Sequence, residues 1–155
     1  MKNCKKIDVV ILAGGQGSRI SKFLKGRPKP MIKFDNYDFL DLLIRKICTY
    51  DINKVFVLAG FKGNTIKNKY HNKKINLVDI ECVIEKSPMG TAGCLSQIKK
   101  KVSSNFIVVN GDTFFDIFIG CISTDVFSIF SLFIKLFPTF SMVAVLSIAT
   151  TGGVS

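Results

Sequence analysis

The chain has 155 residues, 48% of them hydrophobic, and carries a formal net charge of +11 at pH 7. That length and apolar share exclude a disordered polypeptide and leave room for one domain with a real core. The charge points to anionic partners such as nucleotides, phosphorylated sugars, nucleic acid or acidic lipid, while 5 scattered cysteines without a Cys-x-x-Cys pair argue against a disulfide framework or a zinc site and for a reducing, cytoplasmic compartment.

The first element is an apolar run at 9–13, Val-Val-Ile-Leu-Ala, rich in β-branched residues. Such a run, closed by turn residues, reads as a strand buried on both faces of a parallel sheet. Lys2, Lys5 and Lys6 precede it, but the run is short and has Asp8 at its start, so it is a strand and not a signal peptide. It empties into Gly14-Gly15-Gln16-Gly17-Ser18-Arg19. Glycines at this spacing let the backbone turn sharply and aim its N–H groups at an anion, phosphate above all. Lys29 follows between Pro28 and Pro30, held on a stiff, extended piece of chain. A glycine loop, an Arg and a proline-framed Lys describe a polyphosphate site. A P-loop would need Gly-Lys-Ser/Thr where Gly17-Ser18-Arg19 stands, and a dinucleotide fingerprint would need glycine where Ile20 stands.

Asp35-Asn36 is a plausible helix start, and Phe39, Leu40, Leu43, Ile44 and Ile47 recur at helical spacing toward Tyr50. After a turn at 51–53, Val55 to Ala59 form a second buried strand that ends at Gly60, which completes a right-handed βαβ unit. Residues 62–74 are lysine-rich, with Ile66 and Tyr70 four apart, and predict a surface helix that ends with a solvated His71. No aromatic residues interleave with these lysines, so a solvated face is the better reading than a nucleic-acid surface. Residues 77–85 partly alternate and predict a strand nearer the sheet edge. The chain then turns through Pro88-Met89-Gly90, and Thr91 caps a helix that runs to about Val102. Phe106 to Val109 form a further buried strand ending in Asn110-Gly111-Asp112, which puts a carboxylate at the carboxyl end of a parallel strand, where ligands sit in open α/β sheets. Beyond Asp116 no motif is found: all but Lys135 of the 22 basic residues lie before it, and the apolar stretch 126–149 is broken by Lys135 and Pro138. These interruptions favour a buried helix followed by a strand at 140–147 over a membrane span.

Taken together, Gly14-Gly15-x-Gly17-Ser18-Arg19, Pro28-Lys29-Pro30, Glu85-Lys86-x-Pro88-Met89-Gly90-Thr91-Ala92-Gly93 and Asn110-Gly111-Asp112-Thr113-Phe114-Phe115-Asp116 resemble the sugar-phosphate nucleotidyltransferases. Within that family the pattern looks most like the guanylyltransferases acting on D-glycero-D-manno-heptose 1-phosphate, which feed capsule and surface-layer polysaccharide synthesis. Mannose 1-phosphate guanylyltransferases and uridylyl or thymidylyl relatives compete closely. The resemblance implies a three-layer α/β/α, Rossmann-like fold with a mostly parallel sheet. Residues 1–117 would be its nucleotide-binding part, and 118–155 an apolar continuation that ends a truncated or divergent domain.

The implied reaction joins a sugar 1-phosphate to a nucleoside triphosphate and releases pyrophosphate. The resemblance assigns catalysis to Arg19 and Lys29 and a bound Mg²⁺ to Asp112. It assigns the nucleotide to Leu12, Ala13, Gly14, Gly15, Gly17, Ser18, Arg19, Lys29, Glu85, Pro88, Gly90 and Thr91. Glu85 stands at the position that reads the base edge in the family. A carboxylate accepts two hydrogen bonds, which suits the adjacent N1–H and N2 amino donors of guanine, so Glu85 favours GTP. No nucleic-acid or membrane partner is implied, the compartment is cytoplasmic, and a homo-oligomer is compatible. The family's enzymes are longer, and their later part supplies a second metal-binding Asp and a Lys for the sugar phosphate. This chain has no Asp after Asp125 and no Glu after Glu85. The competing expectation is therefore a catalytically inactive, nucleotide-binding remnant or regulatory subunit of the same fold.

Overall fold

The computed structural model describes residues 6–17, 21–85, 90–112 and 143–147. Within them the elements run β1 (Ile7–Ala13), α1 (Ser21–Leu24), a 3₁₀ turn (Lys29–Met31), β2 (Lys33–Phe34), β3 (Tyr37–Asp38), α2 (Phe39–Ile47), β4 (Ile52–Ala59), α3 (Gly63–Tyr70), β5 (Lys73–Ile75), β6 (Val78–Ile84), α4 (Gly90–Ser96), β7 (Asn105–Asn110) and β8 (Val143–Ser147). The sheet order is β5-β6-β4-β1-β7-β8. The inner strands β6, β4, β1 and β7 are mutually parallel, and the flanking β5 and β8 are antiparallel to their neighbours. This is the mostly parallel α/β sheet that the sequence predicts.

Because side chains alternate along a strand, each inner strand feeds two cores. Val9, Ile11, Val55, Val57, Ile107 and Val109 pack with Leu40, Leu43 and Ile44 of α2 and Ile66 and Tyr70 of α3. Val10, Phe56, Leu58, Phe106 and Val108 pack on the other face with Cys94 of α4 and Ile98. The helices divide this way because parallel crossovers are right-handed. The chain moves outward from β1 through β4 to β6 with α2 and α3 on one face. It then reverses past β1 to reach β7, which puts α4 on the opposite face.

Several helix and strand boundaries differ from the sequence reading. Asp35-Asn36 does not start a helix; it forms the turn of the β2–β3 hairpin, with Asp35 in the left-handed region at φ 52°. Asp38 caps α2 instead, in a reciprocal capping box with Asp41. The segment 62–74 is not one helix, since α3 ends at Tyr70 and Lys73–Ile75 form the edge strand β5, which moves β6 one place inward. The apolar pair Ile66 and Tyr70 on α3 is fully buried. Strand β4 begins at Ile52, inside the expected turn, and α4 begins at Gly90 and gives way to turns after Ser96, so Thr91 lies within the helix. The strand expected at 140–147 is β8; the helix expected before it lies outside the described residues. No helix among the described residues is long and apolar enough to cross a membrane.

A polar network ties together the two helices of one layer. Lys69 of α3 reaches both Asp38 at 2.7 Å and Asp41 at 2.5 Å, and the Tyr70 hydroxyl donates to Asp41 at 2.9 Å, tying α3 to the start of α2. Burial alone would raise the Asp41 carboxyl, but the bonds from Lys69, the Asp38 N–H and Tyr70 hold it below its ordinary value. His71 is not simply solvated, since its Nδ1 accepts the Cys82 N–H at 3.1 Å. Strand β5 pairs with β6 only as far as Ile80, so the imidazole covers the next donor along that edge. His71→Ala should therefore lower stability by about 1 kcal/mol, the net value of one hydrogen bond, read as a fall in the urea midpoint; an unchanged midpoint would return His71 to the solvated class.

Candidate functional site

The inner strands end level with one another. Ala13 is in register with Ala59, Ala59 with Ile84, and Leu12 with Asn110. The residues that follow, Gly14, Gly60, Glu85 and Gly111-Asp112, therefore share one rim. The strand order reverses between β1 and β7, because the chain builds outward to β4 and β6 on one side and then crosses to the other. Ligands of open α/β sheets sit outside the carboxyl ends at this reversal. Gly14–Gly17 and Gly111-Asp112 flank it.

Glycine is required at two of these exits by close backbone approach. A Cβ at Gly60 would lie 2.9 Å from both Cα and O of Gly14, and one at Gly111 would lie 2.8 Å from the Leu12 carbonyl oxygen. Main-chain bonds carry the strand pairing past the ends: Phe61 N–H to Gly14 O at 3.2 Å, Glu85 N–H to Ala59 O at 2.9 Å and Gly111 N–H to Leu12 O at 2.8 Å. Farther along the loop Gly17 adopts φ 65°, and a Cβ there would stand 2.7 Å from Leu24 Cδ1 and 3.0 Å from Lys29 Cβ. The stem of Lys29 thus packs on the glycine loop. Among the described residues, nothing stands within 4 Å of where a Cβ of Gly15 would be.

From this position Lys29 reaches across the rim. Its Nζ donates to Asp112 Oδ2 at 2.5 Å, although the two residues are 83 apart in sequence. Both side chains are about one-third exposed, at 35% and 36%. A glycine turn, a cation and a carboxylate are thus brought together at the reversal point. Pro28 and Pro30 on either side of the lysine are buried, and Lys29 opens a 3₁₀ turn instead of lying on an extended stretch.

Glu85 lies on the β6 side of the same rim. Its Oε1 is 3.0 Å from where a Cβ of Gly14 would stand, and its Oε2 is 3.3 Å from that of Gly60. The carboxylate rests on the bare backbone of the two glycines. Beneath it is Cys94, a buried thiol pushed up to about 11 by burial first, and then by its hydrogen bond to Glu85 and that carboxylate's charge. Sequence reasoning found Gly14, Gly17, Lys29, Glu85 and Asp112 but assigned nothing to Cys94. Its neighbourhood depends on how α4 packs under β6, which no local motif encodes.

Leu12 is half-buried and Ala13 buried at the end of β1. Ser18, Arg19 and Pro88 lie outside the described residues, and Gly90 and Thr91 are placed as backbone at the start of α4. Among the described residues no group of three or more His, Cys, Asp or Glu side chains could hold a metal ion. Asp112 is a single carboxylate. That suits Mg²⁺, which is commonly held by one or two carboxylates together with substrate phosphates and water.

The sequence profile of the nucleotidyl transferase family matches residues 8–121. The chain is 33% identical over 111 residues to the D-glycero-alpha-D-manno-heptose 1-phosphate guanylyltransferase of Campylobacter jejuni, a match covering 72% of this chain and 50% of that protein. It is 29% identical over 108 residues to the mannose-1-phosphate guanylyltransferase of Mycobacterium tuberculosis, covering 69% of this chain and 30% of the relative. Among solved structures, HddC from Yersinia pseudotuberculosis complexed with GMP-PN superposes with a TM-score of 0.63 at 27% identity, over 86% of this chain and 55% of that one. The chain spans about half the length of the heptose 1-phosphate guanylyltransferases it matches.

Proposed function

The chain belongs to the nucleotidyl transferase family, and we propose that its rim holds GTP for transfer of the guanylyl group to a sugar 1-phosphate, heptose or mannose, giving a GDP-sugar and pyrophosphate. The observation that carries this reading is the Lys29–Asp112 pair beside the glycine loop, at the reversal of strand order. Relatives acting on heptose and mannose 1-phosphates support the sugar class, and through it a role in surface polysaccharide synthesis. The substrates are cytoplasmic solutes, and the reduced thiols of Cys48, Cys82 and Cys94 fit that compartment.

In this reaction an oxygen of the sugar phosphate attacks the α-phosphorus, the bond to the bridging oxygen breaks, and pyrophosphate leaves with that electron pair. The nucleophile is already an anion, so no general base is needed. The protein's contribution is alignment and charge neutralisation. The N–H groups of Gly14 to Gly17 receive the phosphates. Lys29, stiffened by its prolines, turns from Asp112 toward the α-phosphate and balances the charge that gathers there. Arg19 takes the departing pyrophosphate. Mg²⁺, held by Asp112, would neutralise phosphate charge when bound.

Glu85 accepts the N1–H and N2 amino groups of guanine, whereas the carbonyls of uracil repel it. Glu85→Gln should lower the GTP-to-UTP affinity ratio about 10- to 100-fold, the value of a hydrogen bond to a charged acceptor, in competitive binding titrations; a ratio equal to the parent's would remove Glu85 from base recognition. The function as a whole is tested by pyrophosphate release with GTP, Mg²⁺ and heptose or mannose 1-phosphate. Turnover establishes the transferase. Tight GTP binding without turnover for either sugar would leave a nucleotide-holding subunit in its place.

A further inference from the structure

Lys62 is an unexpected residue in its place. It stands between β4 and α3 at φ 51°, in the left-handed region, where a side chain is disfavoured. Strain of this kind persists only where the surrounding structure holds it. Here the Lys62 side chain runs past the Phe61 ring, with Nζ 5.7 Å from the ring centroid. Its ammonium then donates to the Gly26 carbonyl at 2.5 Å.

Gly26 belongs to the tight turn that joins α1 to the Pro28-Lys29 segment, and both Lys25 and Gly26 have positive φ, at 47° and 78°. This turn is exposed, whereas Pro28, Pro30 and Met31 just after it are buried. One end of the segment is therefore packed, and the other end is tied by Lys62. The other end of the same link lies close to the site, since Gly60, two residues before Lys62, abuts Gly14.

We propose that Lys62 is a positioning residue: it ties the Lys25-Gly26 turn to the exit of β4 and so fixes where the Lys29 segment lies against the glycine loop. Its consequence for ligand binding rests on the nucleotide reading above; the tether itself does not. A side chain that fixes an anion-binding segment should tighten triphosphate binding without touching the base.

The test compares Lys62→Met and Lys62→Arg with the parent chain. Methionine keeps the stem and the backbone strain and removes the ammonium, with its bond to Gly26 and its place by the Phe61 ring. In K62M the amides of Arg27 and Met31, which bond to Leu24 O and Pro28 O, should exchange about tenfold faster, and GTP–Mg²⁺ affinity should fall about tenfold. The GTP-to-UTP ratio and the melting temperature should stay at parent values, and K62R should restore both exchange and affinity. Weaker binding with unchanged exchange would mean that Lys62 meets the phosphates itself, and would overturn the proposal. Unchanged exchange and unchanged affinity would overturn it as well. A parent chain that binds no GTP at any Mg²⁺ concentration would sink the nucleotide reading, while the exchange comparison would still decide the tether.

Discussion

Lys29→Met should weaken binding of GTP–Mg²⁺ about 10- to 100-fold and leave the thermal melt within about 3 °C of the parent. The first part follows from the chemistry of the contact. A charge-assisted bond from an ammonium to a phosphate oxygen contributes about 1.5–3 kcal/mol, and each 1.4 kcal/mol is tenfold in affinity. The second part follows from exposure. Lys29 and Asp112 are each about one-third exposed in the pair they form, and pairs open to water contribute about 0–1 kcal/mol to folding. For a chain of this size that is a few degrees at most. Methionine keeps the stem that packs on Gly17, where a Cβ would come within 3.0 Å of the lysine Cβ, so the charge is the quantity removed. If turnover is present, the loss in kcat should exceed the loss in affinity, because charge on the α-phosphate is greatest as the new bond forms. A melt that collapses in K29M, with affinity following it down, would show that the lysine is a structural residue of the rim.

The residues of this site were legible because their signals are local. A β-branched run stopped by glycines announces strand β1 and its exit whatever the rest of the chain does, and Pro28-Lys29-Pro30 and Gly111-Asp112 are turn chemistry of the same kind. What the sequence could not supply was the distance between them. Lys29 and Asp112 meet only because β7 crosses back beside β1, a consequence of sheet order. The misread boundaries share one cause. Asp35-Asn36 suits a helix cap and a hairpin turn equally, and the choice was made by Asp38, whose carboxylate is held by Lys69 from another helix. Residues 73–75 carry two lysines and read as helix surface, but pairing with β6 makes them a strand. Lys62 had no signal at all, since its partner is a carbonyl 36 residues away.

The opposite end of β1 gives the complementary prediction. Asp8 is 2% exposed, a charged group in an otherwise apolar strand. Its Oδ1 accepts Asn53 Nδ2 at 2.7 Å, and its Oδ2 accepts both the N–H and the hydroxyl of Ser103, each at 2.7 Å. It joins the start of β1 to the start of β4 and to the turn that leads into β7, so it sets the register of the three central strands from below. Asp8→Ala leaves these donors without an acceptor, at a cost of about 3 kcal/mol, which lowers the melting temperature by about 10 °C. Asp8→Asn should cost less, because the amide keeps an oxygen for Ser103 and Asn53 can turn its own amide oxygen toward the new NH2 group. Yet five residues of strand, about 17 Å, separate Asp8 from the exit of β1, and none of its partners lies on the rim. GTP affinity measured well below the melt should therefore equal the parent's in both variants. The two carboxylates of neighbouring strands would then divide cleanly, Asp112 governing the ligand and Asp8 the sheet. An Asp8→Ala chain that melts like the parent but has lost affinity would reverse that division, and would place the binding site at the other end of the strands.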